Sequence, residues 1–231
     1  MSRPVGHSYT TGSIEEVSRL DEHIEQLNPG PPTTPRPAAS VILLRRGGKH
    51  ASRGLEVLLV KRTPAARFMA NVWVFPGGAV DATVDREPSE EDYRRTALRE
   101  LEEEASIALG EDAELVPFSR WITPLEVQTR FDTRFYLALA PAHSSPQPDL
   151  EEVVDASWFS PGDALERHGA GQLLLVFPTV KQLEMLLPFT AAEEAIAASR
   201  STVVEPILPR VVKHGPEARI LLPGDPGYED A

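Results

Sequence analysis

The sequence predicts an α/β fold, a layered domain with a mixed β-sheet and additions at both ends, and three observations carry that expectation. At 231 residues the chain has room for about one large domain with extensions. Hydrophobic residues at 41% and charged residues at 25% match globular averages, so the chain buries a core and is neither disordered nor fibrous. Segments with strand alternation are interleaved with, and followed by, segments with helical spacing and caps, the pattern of packed sheet and helix layers.

From the N-terminus, Ser13 to Leu27 places Ile14, Val17, Leu20, Ile24 and Leu27 three or four apart, a narrow apolar stripe on a charged helix. That stripe needs a cover, which a second copy in a homodimer or the remainder of the same chain would supply. Pro29, Pro31, Pro32, Pro35 and Pro37 then form a stiff linker. The expected organisation is therefore residues 1–37 as N-terminal helix and linker, 38–189 as the main domain, and 190–231 as a C-terminal helix and extended tail.

Within the main domain, Val41-Ile42-Leu43-Leu44 and Leu55 to Val60 flank a polar, Gly-containing loop and predict a hairpin. Phe131, Thr133, Phe135, Leu137 and Leu139 alternate with Asp132, Arg134 and Tyr136, as in a half-buried strand, while Glu114–Trp121 and Val153–Phe159 are weaker strand signals. Ser160 with Asp163 and Thr190 with Glu193 have capping-box form, and Pro178 can open a helix running through Leu187. Glu205 to Ala231, with five prolines, reads as extended chain.

Composition excludes several chemistries. With no cysteine there is no disulfide scaffold, thiolate zinc site or cysteine nucleophile, so any metal binds through oxygen or imidazole. Twenty-three basic against 35 acidic residues give a net charge of −12, which disfavours nucleic acid and anionic membrane surfaces as partners. Apolar runs such as Leu173 to Phe177 are far shorter than a membrane span, and the polar first residues lack a signal peptide's apolar core; a cytoplasmic location is expected. The six histidines have no partners at metal-ligand spacing and read as surface groups, and Trp73, Trp121 and Trp158 read as core.

The segment from Ser89 to Gly110 is the strongest helix: Ser89 and Asp92 make a capping box, and Ala97, Leu98, Leu101, Ala105 and Leu109 supply the apolar face. At about 100° per residue, Glu103 falls about 60° to one side of Glu100 and Glu104 about 40° to the other, so three carboxylates share one sector. Their repulsion is relieved by a hard divalent cation such as Mg²⁺ or Mn²⁺, and Arg99 can hold Glu103 at i,i+4. Upstream, the adjacent Gly77 and Gly78 in Phe75-Pro76-Gly77-Gly78 let backbone approach a ligand without a Cβ in the way.

Taken together, Gly78 and Arg99-Glu100-Leu101-Glu102-Glu103-Glu104-Ala105-Ser106-Ile107 resemble the Nudix box, G-x5-E-x7-R-E-U-x-E-E-x-G-U, where U is a bulky aliphatic residue. Glu91 falls at the box's first glutamate, but twelve residues separate it from Gly78 where the pattern has five, and Ser106 replaces the final glycine, moving the expected helix end to Gly110. A second stretch, Leu58-Leu59-Val60-Lys61-Arg62-Thr63, then Arg67, then Phe75 to Gly78, resembles the coenzyme A diphosphatase pattern L-L-T-x-R-S-x3-R-x3-G-x3-F-P-G-G, with Val60, Thr63 and Asn71 as departures. Arg67-Phe68-Met69, Phe75 to Asp81 and Arg130 to Phe135 are similar to the acyl-CoA diphosphatase branch with a lengthened box.

The resemblance covers roughly Ala38 to Leu187 and implies a Nudix-type α/β/α sandwich that hydrolyses the pyrophosphate of a nucleoside diphosphate derivative with Mg²⁺ or Mn²⁺. It implies Glu100, Glu103, Glu104 and Gly78 as metal ligands, Glu103 and Arg99 as catalytic residues, and Arg62, Arg67, Gly77 and Gly78 as substrate-binding. Coenzyme A or acyl-CoA would give 4′-phosphopantetheine, or its acyl form, and adenosine 3′,5′-bisphosphate. ADP-ribose or a dinucleotide is the alternative substrate, and a catalytically silent nucleotide sensor or interaction module the alternative of another class. Arg130 and Arg134 are further cationic candidates, and Glu126, Glu151 and Glu152 stand as candidates for an additional loop carboxylate.

Overall fold

Near-continuous apolar runs at the start of the main domain become strands buried on both faces, because helices cover each side of the sheet. The computed structural model describes residues 28, 30–47, 54–66, 69–81, 86–214 and 217–230; the helix expected at Ser13 to Leu27 lies outside them. The chain divides into two compact units. The larger comprises Arg36–Arg120 and Thr133–Glu205, and the smaller, as far as it is described, comes from 28–35, 121–132 and 206–230.

In the larger unit β1 (Arg36–Arg46) and β2 (Leu55–Arg62) form the expected hairpin, antiparallel with Leu44 opposite Val57. β3 (Trp73–Val74) pairs with β2, and β4 (Gly77–Ala79) with β1. β5 (Val116–Ile122), β6 (Phe131–Leu139) and β7 (Val153–Phe159) complete a sheet that runs β3-β2-β1-β6-β5, with β7 antiparallel to β2. The strands read at Phe131 to Leu139 and at Val153 to Phe159 are reproduced with their expected bounds, but the first is not half-buried: Tyr136, expected on its open face, is buried, and Leu139 is exposed.

Because strand side chains alternate, the central strands feed two cores. Ile42, Leu44, Leu55, Val57 and Leu59 join Leu183, Leu186, Ala195 and Ile196 on one face, the side of α2 (Pro161–Gly169), α3 (Phe177–Leu186) and α4 (Ala192–Arg200). Val41, Leu43, Leu58 and Val60 join Tyr93, Ala97, Leu101 and Ala105 of α1 (Glu90–Ala105) on the other. This is the α/β/α sandwich expected from the sequence. Trp73 and Trp121 are buried, and Trp158 lies under the Arg45 guanidinium, 4.2 Å from its ring centroid.

Three local expectations are corrected. Helix α1 ends at Ala105 and not at Gly110, because Ser106 turns left-handed at φ 53°, ψ 34° and its N–H closes on the Glu102 carbonyl at 2.9 Å. A side chain in that conformation is disfavoured; here the Ser106 hydroxyl donates to the Gln147 carbonyl at 3.2 Å and the Gln147 N–H to the Ala105 carbonyl at 2.9 Å. Thr190 does not cap α4, which starts from Ala191; its hydroxyl and N–H turn to Glu194 instead. The C-terminal tail is not merely extended, since β8 (Pro206–Ile207) is followed by β9 (Arg210–His214) antiparallel to β10 (Glu217–Leu221).

In the smaller unit Arg130 is buried and donates to the Thr33 carbonyl and, at 3.0 Å, to the Thr123 carbonyl. Its cationic head holds backbone there. No helix among the described residues is long and apolar enough to cross a membrane.

Candidate active site

The site is built where α1 crosses β4. Helix α1 starts as the sequence signals, with the Ser89 hydroxyl accepting from the Asp92 N–H and the Asp92 carboxylate accepting from the Ser89 N–H at 2.7 Å. Arg86 adds a bidentate grip on Asp92 at 2.5 and 3.0 Å, which ties the end of the long Gly78-to-Ser89 connection to the helix start. The apolar face of α1 then rests on β1, and Glu100 and Glu104, at the edge of that buried face, turn toward β4.

Strand β4 can lie this close only because of its glycines. In the β1–β4 ladder Ser40 faces Gly77 and Ala39 faces Gly78. A Cβ on Gly77 would stand 2.5 Å from the Ala39 carbonyl oxygen and 2.7 Å from Ser40 Cα, and one on Gly78 would stand 2.2 Å from Glu100 Oε1. The two glycines therefore serve different ends: Gly77 admits the neighbouring strand, and Gly78 admits a carboxylate. Gly78→Ala is expected to displace Glu100 and lower turnover at least about tenfold with little loss of stability, whereas Gly77→Ala, striking backbone, is expected to cost about 1–3 kcal/mol. Thermal melts beside product formation separate the two outcomes.

The three box glutamates occupy different environments. Glu104 is buried, at 3% exposure, and accepts the Gly77 N–H at 3.0 Å. Burial pushes its carboxyl up to about 8, with Glu100 and Glu152 raising it further and the Gly77 N–H and the Arg62 charge acting the other way. Burial likewise raises Glu100, opposed by Arg99 and reinforced by Glu103 and Glu152. Glu103 is 55% exposed and held by Arg99 Nη1 at 2.6 Å, while Arg99 Nη2 reaches Glu100 Oε1 at 2.8 Å. One guanidinium thus bridges two of the three carboxylates, and among the described residues no three His, Cys, Asp or Glu groups stand at metal-ligand spacing.

The donor set nevertheless suits a hard dication. Glu100 and Glu104 are desolvated carboxylates whose charged forms their surroundings disfavour, and a cation with oxygen preference reverses that balance. Arg62, at the end of β2, carries a buried Nε with no hydrogen-bond partner, and its charge acts on Glu104. Arg67 lies outside the described residues.

Of the open loop carboxylates, Glu152 is the one whose charge acts on both Glu100 and Glu104, and its carbonyl accepts the Thr63 N–H at 2.8 Å. Glu126 instead accepts the Val211 N–H at 3.3 Å in the smaller unit. Arg134 pairs with Glu90 and lies 3.9 Å from the Tyr93 ring centroid, and the Tyr136 hydroxyl donates to Glu90 at 2.8 Å, so these groups fasten β6 to the start of α1. Glu91, at the box position, is exposed. Sequence reasoning missed Glu90 because its partners are more than forty residues away.

Comparison with known proteins agrees with this geometry. The NUDIX domain family model matches residues 34–176. The putative nudix hydrolase 7 of Caenorhabditis elegans is 29% identical across 84% of this chain and 75% of its own length. The human acyl-coenzyme A diphosphatase NUDT19 is 30% identical across 48% of this chain, which spans 31% of that protein. A NUDIX hydrolase structure from Alicyclobacillus acidocaldarius superposes with a TM-score of 0.62 at 27% identity, covering 71% of this chain and 96% of that one. With the family model spanning the strands, the double glycine and the glutamate helix alike, the chain belongs to the Nudix family and is a Nudix pyrophosphatase.

Proposed function

We propose that the enzyme cleaves the pyrophosphate of coenzyme A or an acyl-CoA with Mg²⁺ or Mn²⁺, releasing 4′-phosphopantetheine or its acyl form and adenosine 3′,5′-bisphosphate. The observation that carries this reading is the placement of Arg62, a cation with an unpartnered buried Nε, beside the desolvated Glu104. A substrate phosphate can take the Arg62 donors, and a bridging cation can couple that phosphate to the carboxylates. Asn71 supports the substrate assignment: at φ 61° it meets with asparagine the left-handed conformation that glycine adopts most readily in the matching pattern. The similarity to a human protein named as an acyl-coenzyme A diphosphatase points the same way.

Glu100, Glu103, Glu104 and the Gly78 carbonyl would hold the cation, with Glu152 as an additional carboxylate. When bound, the cation supplies neutralisation of developing phosphate charge and acidifies the attacking water. Arg99 fixes the Glu103 carboxylate, which would take a proton from a water as its oxygen adds to phosphorus and the bond to the bridging pyrophosphate oxygen breaks, that oxygen leaving with the other phosphate. Arg62, with Arg67, binds the substrate's phosphates, offsetting the chain's net charge of −12 locally. A second subunit, if the stripe from Ile14 to Leu27 is covered that way, would make the enzyme a cytoplasmic homodimer.

Chromatographic quantification of both products from coenzyme A, with ADP-ribose and NADH as competing substrates, tests the assignment. Coenzyme A is expected to be turned over with the highest kcat/KM. Preference for ADP-ribose rejects it.

A further inference from the structure

The loop between β6 and β7 reaches the site from the far end of α1, and it is fastened along the way. Its Gln147 is bonded to Ala105 and Ser106 at the end of the glutamate helix, and Thr63 holds the Glu152 carbonyl at 2.8 Å. Between these anchors the chain makes an unfavourable turn: Leu150 is 70% exposed and stands at φ 65°. Neither side-chain burial nor intrinsic preference accounts for that conformation. What holds it is Asp149, whose Oδ1 accepts the N–H groups of Glu151 at 3.0 Å, Glu152 at 3.1 Å and Val153 at 2.9 Å, while the Leu150 N–H reaches the Val153 carbonyl at 2.9 Å. Val153 is opposite Arg62 in the β2–β7 ladder and the Glu152 carbonyl is bonded to Thr63, so the turn holds the backbone of Glu152 against the end of β2, from where its charge acts on Glu100 and Glu104.

We propose that Asp149 is a positioning residue of the active site, fixing through three backbone N–H groups the turn that presents Glu152 to Glu100 and Glu104. The inference rests on the cation-site reading above and deepens it. Asp149 touches neither cation nor substrate; it acts through Glu152. A plain cap at the start of β7 would serve stability alone, and the two roles differ in what they couple to.

Mn²⁺ binding to the full chain, measured calorimetrically beside the melting temperature and kcat with Mg²⁺, distinguishes them. Asp149→Ala and Glu152→Gln are each expected to weaken Mn²⁺ binding about tenfold, as loss of outer-shell support does. The double variant should be no weaker than Glu152→Gln, and Asp149→Asn, whose amide oxygen can accept the same N–H groups, should stay within about twofold of the parent. A lowered melting temperature with unchanged Mn²⁺ binding in Asp149→Ala overturns the proposal, as do losses that multiply in the double variant. Asp149→Ser, with one hydroxyl acceptor, carries the same test should the alanine variant not fold. A parent chain that fails to bind Mn²⁺ overturns the cation-site reading and this inference with it; a parent that binds while Asp149→Ala binds equally well overturns this inference alone.

Discussion

Glu103→Gln is expected to lower kcat about a thousandfold, within the range a positioned general base contributes, and to leave the melting temperature within about 2 °C of the parent. The two halves of that expectation come from the same geometry. Glu103 is 55% exposed, and its carboxylate is gripped by Arg99 at 2.6 Å. An exposed i,i+4 pair contributes about 0.3–0.5 kcal/mol, so its removal cannot unfold the helix. Arg99 keeps its bond to Glu100 at 2.8 Å, so the guanidinium stays in place. The amide fills the same volume but cannot take a proton from water at neutral pH. Steady-state kinetics on the substrate that the product assay identifies, with a thermal melt of the same preparation, check both halves. If the variant keeps more than about a tenth of parental kcat, the base lies elsewhere, and Glu152 is the carboxylate to test next.

How much of this site could be read from the sequence depends on the range of the interactions involved. The cap at Ser89, the strand from Phe131 to Leu139 and the hairpin at Val41 to Val60 are written in neighbouring residues, and the structure reproduces them. Helical periodicity also places Glu100, Glu103 and Glu104 in one sector. It is silent on what covers that sector, and the cover makes the difference. Strand β4 lies against Glu104 and Glu100, while Glu103, one residue before Glu104, faces water. That asymmetry depends on β1–β4 register, a pairing of residues almost forty positions apart. Glu152 was one of three open candidates for the same reason, since the loop that carries it is placed by bonds to Ala105, Ser106 and Thr63.

The departures from the family patterns have a physical reading that a letter-by-letter match hides. Ser106 and Asn71 both replace glycine, and both stand in left-handed backbone, at φ 53° and φ 61°. Glycine adopts that conformation most readily, and here two other residues hold it. Asparagine tolerates that region through local hydrogen bonding, and serine gains a bond from its hydroxyl to the loop at Gln147. At both positions the chain reaches, by other means, a backbone angle that glycine meets at no steric cost.

Glu104→Gln is expected to abolish turnover and, without metal, to stabilise the fold in a pH-dependent way. Burial holds Glu104 near 8 in the folded chain against an ordinary value of 4.5. Below the lower value both folded and unfolded chains carry the proton. Between the two, the unfolded chain has lost a proton that the folded chain retains, so metal-free stability falls as pH rises through this window and levels off above about 8. Glutamine does not titrate, and its amide oxygen can still accept the Gly77 N–H. The variant should therefore match or exceed the parent near neutrality and exceed it by an amount of the order of a few kcal/mol at alkaline pH. Saturating Mg²⁺ should flatten the parent's slope across this window, because binding requires the charged carboxylate and expels its proton, and an affinity that strengthens by up to about tenfold per pH unit below 8 offsets the metal-free decline. Denaturant melts of both proteins at about pH 5.5 and about pH 8.5, with and without Mg²⁺, measure this linkage. Parallel metal-free curves for parent and variant would show that Glu104 is ionised in the resting fold, and that the cation is not what makes its burial tolerable.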